Sequence, residues 1–173
     1  LLGAARRLQE RQDIVFCFVG GGSEFGKVRS SGLPNVVCLP YQPLDQLGAS
    51  LSAADLHVVV MGEAFVGIVH PCKIYNILRL GIPLLYIGPA QGHIPDLIPP
   101  EAIGVWAHHF AHGDVEGVAA CIAKCRESLL GRSAEAVRLA AGFSESALAP
   151  KLVELLVRGS EVPLTEVPAY AGH

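Results

Sequence analysis

Short runs of consecutive apolar residues recur along the chain and predict buried β-strands. They are rich in β-branched and aromatic residues and do not alternate with polar ones, which is typical of parallel strands that are covered on both faces. The runs span residues 14–19, 35–40, 56–61, 83–88 and, more briefly, 102–106.

The segments between these runs have the apolar spacing of helices. Asp114 is expected to cap one helix, Pro71 to open another and Gly81 to end it, while a break is expected near Ala149–Pro150. Strands that alternate with helices predict an α/β fold, Rossmann-like and three-layered, with helices on both faces of a parallel sheet. The predicted helices span residues 1–12, 23–30, 43–54, 71–80, 114–129 and 132–157.

Length and composition narrow the class of protein. The chain has 173 residues, of which 51% are hydrophobic and 17% charged, so we expect one domain over 1–158 and a loose, proline-bearing tail over 159–173. The net charge of −3 argues against a nucleic-acid surface. No window is apolar enough to span a membrane. Because the chain begins without Met and in mid-helix, we expect a piece of a longer protein.

Five cysteines are present and none forms a C-x-x-C pair. We interpret them as reduced core thiols of a cytoplasmic protein. In the segment HHFAH, His108 and His112 precede a helix start and are not expected to share a helix face. Cys121 and Cys125 have the i, i+4 spacing of core positions on one helix. We therefore predict no metal site and no cofactor.

Three glycine-rich loops follow predicted strands, at the sheet edge where α/β proteins bind ligands. They are GGGSEFG, GEAFVGIVH and PAQGH. The first, with Gly20, Gly21 and Gly22, departs from a dinucleotide fingerprint because Phe25 replaces the third glycine. This departure disfavours a nicotinamide or flavin site. It leaves a tight turn, or a turn that also lines a ligand cleft.

The second loop raises a question of charge, because Lys73 and His70 lie at the positive end of a predicted helix dipole. A bound phosphate would supply the missing negative charge and accept hydrogen bonds from free backbone N–H groups. The alternative is that Lys73 extends into water. Glu63, at the mouth of the same crevice, is either a ligand for hydroxyl groups or a solvated carboxylate.

The segment PCKIYNILRLGIPLLYIGP resembles the C-terminal domain of GT-B glycosyltransferases, most of all family 4 members of the branch for colanic-acid-type polysaccharides. Members carry P-S-K-x-Y-E-x-x-A-x-G-x-P in this helix. The segments FVGGGSEFGKV, LPNVVCLPYQPLDQLGASLSAADLHVVV and FSESALAPKLVELL are similar to other parts of that domain. The resemblance covers residues 1–157 in order.

The resemblance implies a donor-binding domain over residues 1–158, with its first strand upstream of Leu1. In the family, the loop before this helix binds the diphosphate and the helix acid binds the ribose. By position, Lys73 and the backbone from Gly67 to Pro71 would face phosphate. The acid is replaced by Asn76, the usual Ser by Cys72, and the family's first glutamate has only Glu63 nearby, at another spacing.

The implied activity is transfer of a sugar, of hexosyl type, from a UDP- or GDP-sugar to a saccharide or lipid-linked acceptor. The alternative is a degenerate, non-catalytic binding module. We expect an N-terminal acceptor-binding domain in the same full-length chain, no nucleic-acid partner, and no activity in this piece alone. A cytoplasmic location is compatible with peripheral association of the full enzyme with the inner face of the membrane. Lys73 is the predicted catalytic residue. The predicted donor-binding residues are Gly20, Gly21, Gly22, Glu63, Phe65, Gly67, His70, Lys73, Tyr75, Asn76 and His93.

Overall fold

The structure, a computed structural model, describes residues 1–158 of the 173. The predicted tail at 159–173 lies outside the described residues. Within residues 1–158, five parallel strands form two sheets, one of β1 and β2 and one in the order β3-β4-β5. The predicted α/β fold with parallel pairing is therefore confirmed. The strands are β1 (Phe16–Val19), β2 (Val36–Leu39), β3 (His57–Val60), β4 (Leu84–Ile87) and β5 (Ala107–Phe110).

Helices follow the strands along most of the chain, and short 3-10 turns lie at 44–46, 63–65 and 100–102. The carboxylate of Asp114 accepts a hydrogen bond from the Gly117 N–H at 2.8 Å, which confirms the predicted cap. Gly81 ends its helix in the left-handed region at φ +68°, also as predicted. The helices are α1 (Leu2–Arg7), α2 (Phe25–Arg29), α3 (Leu47–Ser52), α4 (Lys73–Leu80), α5 (His93–Leu97), α6 (Val115–Glu127), α7 (Ala134–Ala141) and α8 (Glu145–Val157).

Strand β4 is buried on both faces and separates two apolar clusters. On one side Leu84 and Tyr86 pack with the fully buried Ile77 and Leu78 of α4 and with Trp106. The other cluster joins the two sheets under α1 and α6, and its members include Ala5, Phe16, Leu85, Ile87 and Ile122. These two clusters lie between the three layers that the alternation of strands and helices predicts.

The prediction of burial on both faces is wrong for β1 and β2. Their burial alternates, and the registered pairs Cys17–Val37 and Val19–Leu39 share the exposed face. In the described part of the chain, no helix covers that face. Cys17 and Cys72 are exposed rather than in the core, and all five cysteines are free thiols.

Several boundaries also differ from the sequence-based expectation, among them the end of α1, at Arg7 rather than at residue 12. The last strand is at Ala107–Phe110, not 102–106, where a 3-10 turn and a loop lie instead. The C-terminal helical segment breaks before Ser144, whose hydroxyl caps α8, and Pro150 lies inside that helix. Helix α4 begins at Lys73, two residues after Pro71. Over residues 1–158, the helices are too short or too polar to cross a membrane.

Candidate functional site

A small cavity lies between the loops that follow β3 and β4, at the carboxyl ends of these neighbouring strands. Its volume is about 110 Å³. Ligands of α/β domains bind at this edge of the sheet. No acidic side chain lines the cavity within the described chain. The lining residues are Met61, Val66, Gly67, Ile68, Val69, His70, Tyr86, Gln91, Gly92, His93 and Ile94.

The backbone of both loops presents unpaired N–H groups. Over residues 1–158, the N–H groups of Gly67, His70, Gly92 and His93 have no acceptor, and all four residues line the cavity. Gly67 and Gly92 have φ values of +75° and +120°, which a side chain with a Cβ rarely adopts. Gly92 and His93 present two successive free N–H groups, the arrangement of anion-binding loops, whereas in the first loop Ile68 and Val69 between the free groups bond to the Phe65 carbonyl.

Tyr75 links two histidines beside the cavity. Its hydroxyl lies 2.8 Å from His70 Nε2 and 3.0 Å from His93 Nε2, and the two imidazole rings lie 3.6 Å apart between centroids. Because a hydroxyl has one proton, it donates to one ring and accepts from the other. The three residues come from the loop before α4, from α4 and from α5, so the fold itself assembles this cluster.

Burial disfavours the charged forms of His93 and Tyr75 in this cluster. Burial, and then the positive charge of His70, lowers the pKa of His93, while Asp96 acts in the opposite direction. Burial and then Cys72 raise the pKa of Tyr75. A bound anion would reverse the effect on His93, because a negative charge nearby favours the imidazolium form.

Lys73, the predicted catalytic residue, does not line the cavity. Its ammonium donates a hydrogen bond to the main-chain carbonyl of Val58, 2.8 Å away. The His57 and Met61 N–H groups bind the β4 side, so the carbonyl of Val58 points to the other edge of β3. The Lys73 side chain is exposed over much of its length, yet burial around the ammonium lowers its pKa.

Other predicted donor-binding residues also lie outside the cavity. Gly20 and Gly21 pack against the ring of Tyr41, to which a Cβ at either position would approach within 3.2 Å and 3.1 Å. Gly22 is in the same loop, at φ +111°. Glu63 and Phe65 form an exposed 3-10 turn, and Asn76 is exposed on α4. The structure thus brings together Gly67, His70, Tyr75 and His93 of the predicted set.

Some site features were missed because they depend on tertiary contacts. His109 and His112 bind the carbonyls of Gly88 and Met61 at 2.9 Å and 2.7 Å and so fix both loop bases. His108 also meets a cysteine that is distant in the sequence, because Cys125 Sγ is 3.5 Å from its Nε2. The alternation of β5, which directs neighbouring histidines to opposite faces, was the available signal.

The fold of this chain has a counterpart among solved protein structures. The fold is that of a GT-B glycosyltransferase domain: 91% of the chain superposes on 32% of a chain in the crystal structure of the GtfA/B complex, with a TM-score of 0.64 and 15% identity. In sequence, the chain is 31% identical over 139 residues to WcaI of Escherichia coli (strain K12), whose name assigns it to glycosyl transfer in colanic acid biosynthesis. No protein-family model matches the chain.

The alignment with WcaI covers 75% of this chain and 31% of the relative. The chain therefore spans about a third of the length of the relative and of the structural neighbour. The expected resemblance to a GT-B glycosyltransferase domain is confirmed, at modest identity.

Proposed function

We propose that this chain is the donor-binding domain of a glycosyltransferase that moves a sugar from a nucleotide diphosphate sugar to a saccharide or lipid-linked acceptor. The observation that carries the proposal is the cavity at the ends of β3 and β4, with its unpaired N–H groups from two loops and two histidines. The relative's name supports glycosyl transfer in general. An acceptor-binding domain would lie elsewhere in a longer chain.

The size of the cavity indicates which part of a donor would enter it. A volume of about 110 Å³ is well below the roughly 300–1,000 Å³ of pockets that enclose a whole organic ligand. A phosphate group fits this volume, whereas the base and the sugar would lie along the open strand ends. The donor is a UDP- or GDP-sugar in this proposal.

The chemistry that follows is stabilisation of the leaving diphosphate. Negative charge grows on the phosphate as the glycosidic bond to it breaks. N–H groups of Gly67 and Gly92 that are already in place would bind that charge without reorganisation, which is the most effective form of electrostatic catalysis. His70 and His93 would add charge or a proton on the same side.

Lys73 would take part only after breaking its hydrogen bond to Val58. It would then form a charge-assisted hydrogen bond to a phosphate oxygen, which is stronger than the hydrogen bond to the neutral carbonyl of Val58. In this proposal Lys73 alternates between the strand edge without donor and the diphosphate with donor.

The proposal is tested by titrating the purified protein with UDP, GDP, uridine, guanosine and pyrophosphate by calorimetry. We expect the diphosphates to bind and the nucleosides to bind at least tenfold more weakly, a difference of about 1.4 kcal/mol. His93→Gln should weaken diphosphate binding. His57→Gln is the matched control, because His57 binds the Leu51 carbonyl and does not line the cavity.

A non-catalytic binding module is the second candidate, favoured by the position of Lys73 on Val58 and by the exposed amide of Asn76 where the family has an acid. Such a module would bind no nucleotide while keeping its native fold. The fluorescence of the single, buried Trp106 reports whether the fold is native in the same sample. Absence of diphosphate binding in a native sample would therefore favour this candidate.

A further inference from the structure

A group of three metal-ligating side chains lies away from the cavity, between β5 and α6. Cys121 and Cys125 are one helical turn apart on α6, and His108 reaches them from β5. One ligand atom of each residue lies within 4.8 Å of the other two. The two sulfur atoms are 3.9 Å apart, and Cys125 Sγ is 3.5 Å from His108 Nε2.

These separations fit one tetrahedral ion. With metal–sulfur bonds of about 2.3 Å and metal–nitrogen bonds of about 2.0–2.1 Å, the edges of a tetrahedron are about 3.8 Å between sulfurs and about 3.5 Å from sulfur to nitrogen. The Cys121–Cys125 and Cys125–His108 distances agree with these edges, and the third separation, between Cys121 and His108, is within 4.8 Å. By contrast, a sulfur separation of 3.9 Å is nearly twice the roughly 2.05 Å of a disulfide.

We propose that His108, Cys121 and Cys125 form a binding site for a thiophilic divalent cation, of which Zn²⁺ is the best match. Two cysteines and one histidine are a common zinc ligand set. Within residues 1–158 no fourth His, Cys, Asp or Glu joins the group, so water completes the coordination. The site would tie strand β5 to helix α6.

The ionisation of the ligands couples binding to pH. A thiol binds such a cation as the thiolate, so each cysteine gives up its proton. Binding releases two protons to solvent. The resulting group of one divalent cation and two thiolates is neutral, which suits a partly buried position.

The experiment is a titration of the purified, reduced protein with Co²⁺, which has visible and near-ultraviolet bands where Zn²⁺ has none. We expect a thiolate-to-cobalt charge-transfer band that saturates at one equivalent and is displaced by Zn²⁺. The band should be lost in Cys121→Ser and Cys125→Ser and much weaker in His108→Gln. Cys17→Ser is the control, because Cys17 is exposed and outside the group.

A second measurement needs no variant and so does not depend on how the variants fold. Zn²⁺ should protect two of the five thiols of the native protein from a thiol reagent. Absence of the cobalt band in the wild type, a band that survives in both serine variants, or unchanged thiol reactivity with Zn²⁺ would each overturn the proposal.

Discussion

The imidazole rings of His70 and His93 lie 3.6 Å apart, and the hydroxyl of Tyr75 binds the Nε2 atom of both. Two imidazole side chains are thus held together beside unpaired backbone N–H groups. The arrangement is costly when both rings are protonated and nothing negative is bound. It becomes favourable with an anion in the cavity, which is why we place the donor diphosphate there.

Tyr75→Phe should weaken diphosphate binding without unfolding the protein. The variant removes the hydroxyl that orients both histidines but keeps the ring, which packs 5.1 Å from Phe143 between centroids. A typical hydrogen bond contributes about 0.5–1.5 kcal/mol, so we expect a loss of roughly two- to tenfold in affinity by calorimetry. Tyr41→Phe is the control, because Tyr41 is 78% exposed. Equal affinity in both variants would remove Tyr75 from the site.

Lys73→Ala separates the two contacts in which Lys73 is involved. If the ammonium moves to the diphosphate, affinity should fall by about tenfold or more, since hydrogen bonds to charged groups contribute about 1.5–3 kcal/mol. The free energy of unfolding without nucleotide should change by less than about 1.5 kcal/mol, because the loss of the hydrogen bond to Val58 is partly offset by the removal of an ammonium whose burial is costly. Calorimetry and denaturation followed by Trp106 fluorescence measure the two effects. A loss of stability with unchanged affinity would assign Lys73 to the strand edge alone.

The protein should lose stability in mild acid through His57. Burial, and then the charge of Lys73, lowers the pKa of His57 below its ordinary value of 6.5, although the hydrogen bond to Leu51 opposes this. The unfolded chain then binds more protons than the folded one as the pH falls through 6.5, so the free energy of unfolding decreases there and levels off below the folded-state pKa.

Urea denaturation at neutral pH and at about one unit below 6.5 measures this effect. In His57→Gln, which keeps a donor for the Leu51 carbonyl, the decrease should be smaller than in the wild type. An identical pH dependence in the two proteins would contradict the assignment to His57.

Gly81→Ala should destabilise the protein more than Gly32→Ala. Both glycines have nearly the same backbone angle, with φ of +68° and +65°, and the left-handed conformation costs an alanine roughly 1–2 kcal/mol at either position. At Gly81 the new methyl group would also lie 2.8 Å from the carbonyl of Ser133, whereas no atom lies within 4 Å at Gly32. The difference between the two variants in the free energy of unfolding, measured by thermal denaturation, gives the cost of the contact with Ser133. Equal losses would show that α4 and α7 separate without cost.

The sequence predicted features whose cause is local. Continuous apolar runs located β3 and β4, and Asp114 and Gly81 marked helix ends through their own hydrogen-bonding and backbone preferences. Strand β5 was misplaced because its two histidines look polar until tertiary contacts pair His109 with the Gly88 carbonyl and His108 with Cys125. The break was predicted at Pro150 because proline is a strong helix-breaking signal, whereas the capping role of Ser144 is a weaker signal in the sequence.

In the candidate site, too, some positions could be predicted from local sequence and others depend on tertiary contacts. Gly67 and His70 belong to one loop, so their position followed from the strand before them. His93 came close to them because parallel pairing of β3 with β4 aligns the two loops. Lys73 was placed by the resemblance, and its contact with Val58 depends on a strand edge that a sequence pattern does not reveal. The meeting of His108 with Cys125 likewise needed the docking of α6 on β5.

The most direct test of the central claim is the pKa of His93, followed by NMR of its imidazole signals with and without UDP or GDP. If the diphosphate lies between the two loops, its negative charge should raise the pKa of His93, which burial and His70 lower in the free protein. Uridine or guanosine should leave it unchanged. A pKa of His93 that does not move at saturating diphosphate would contradict the account.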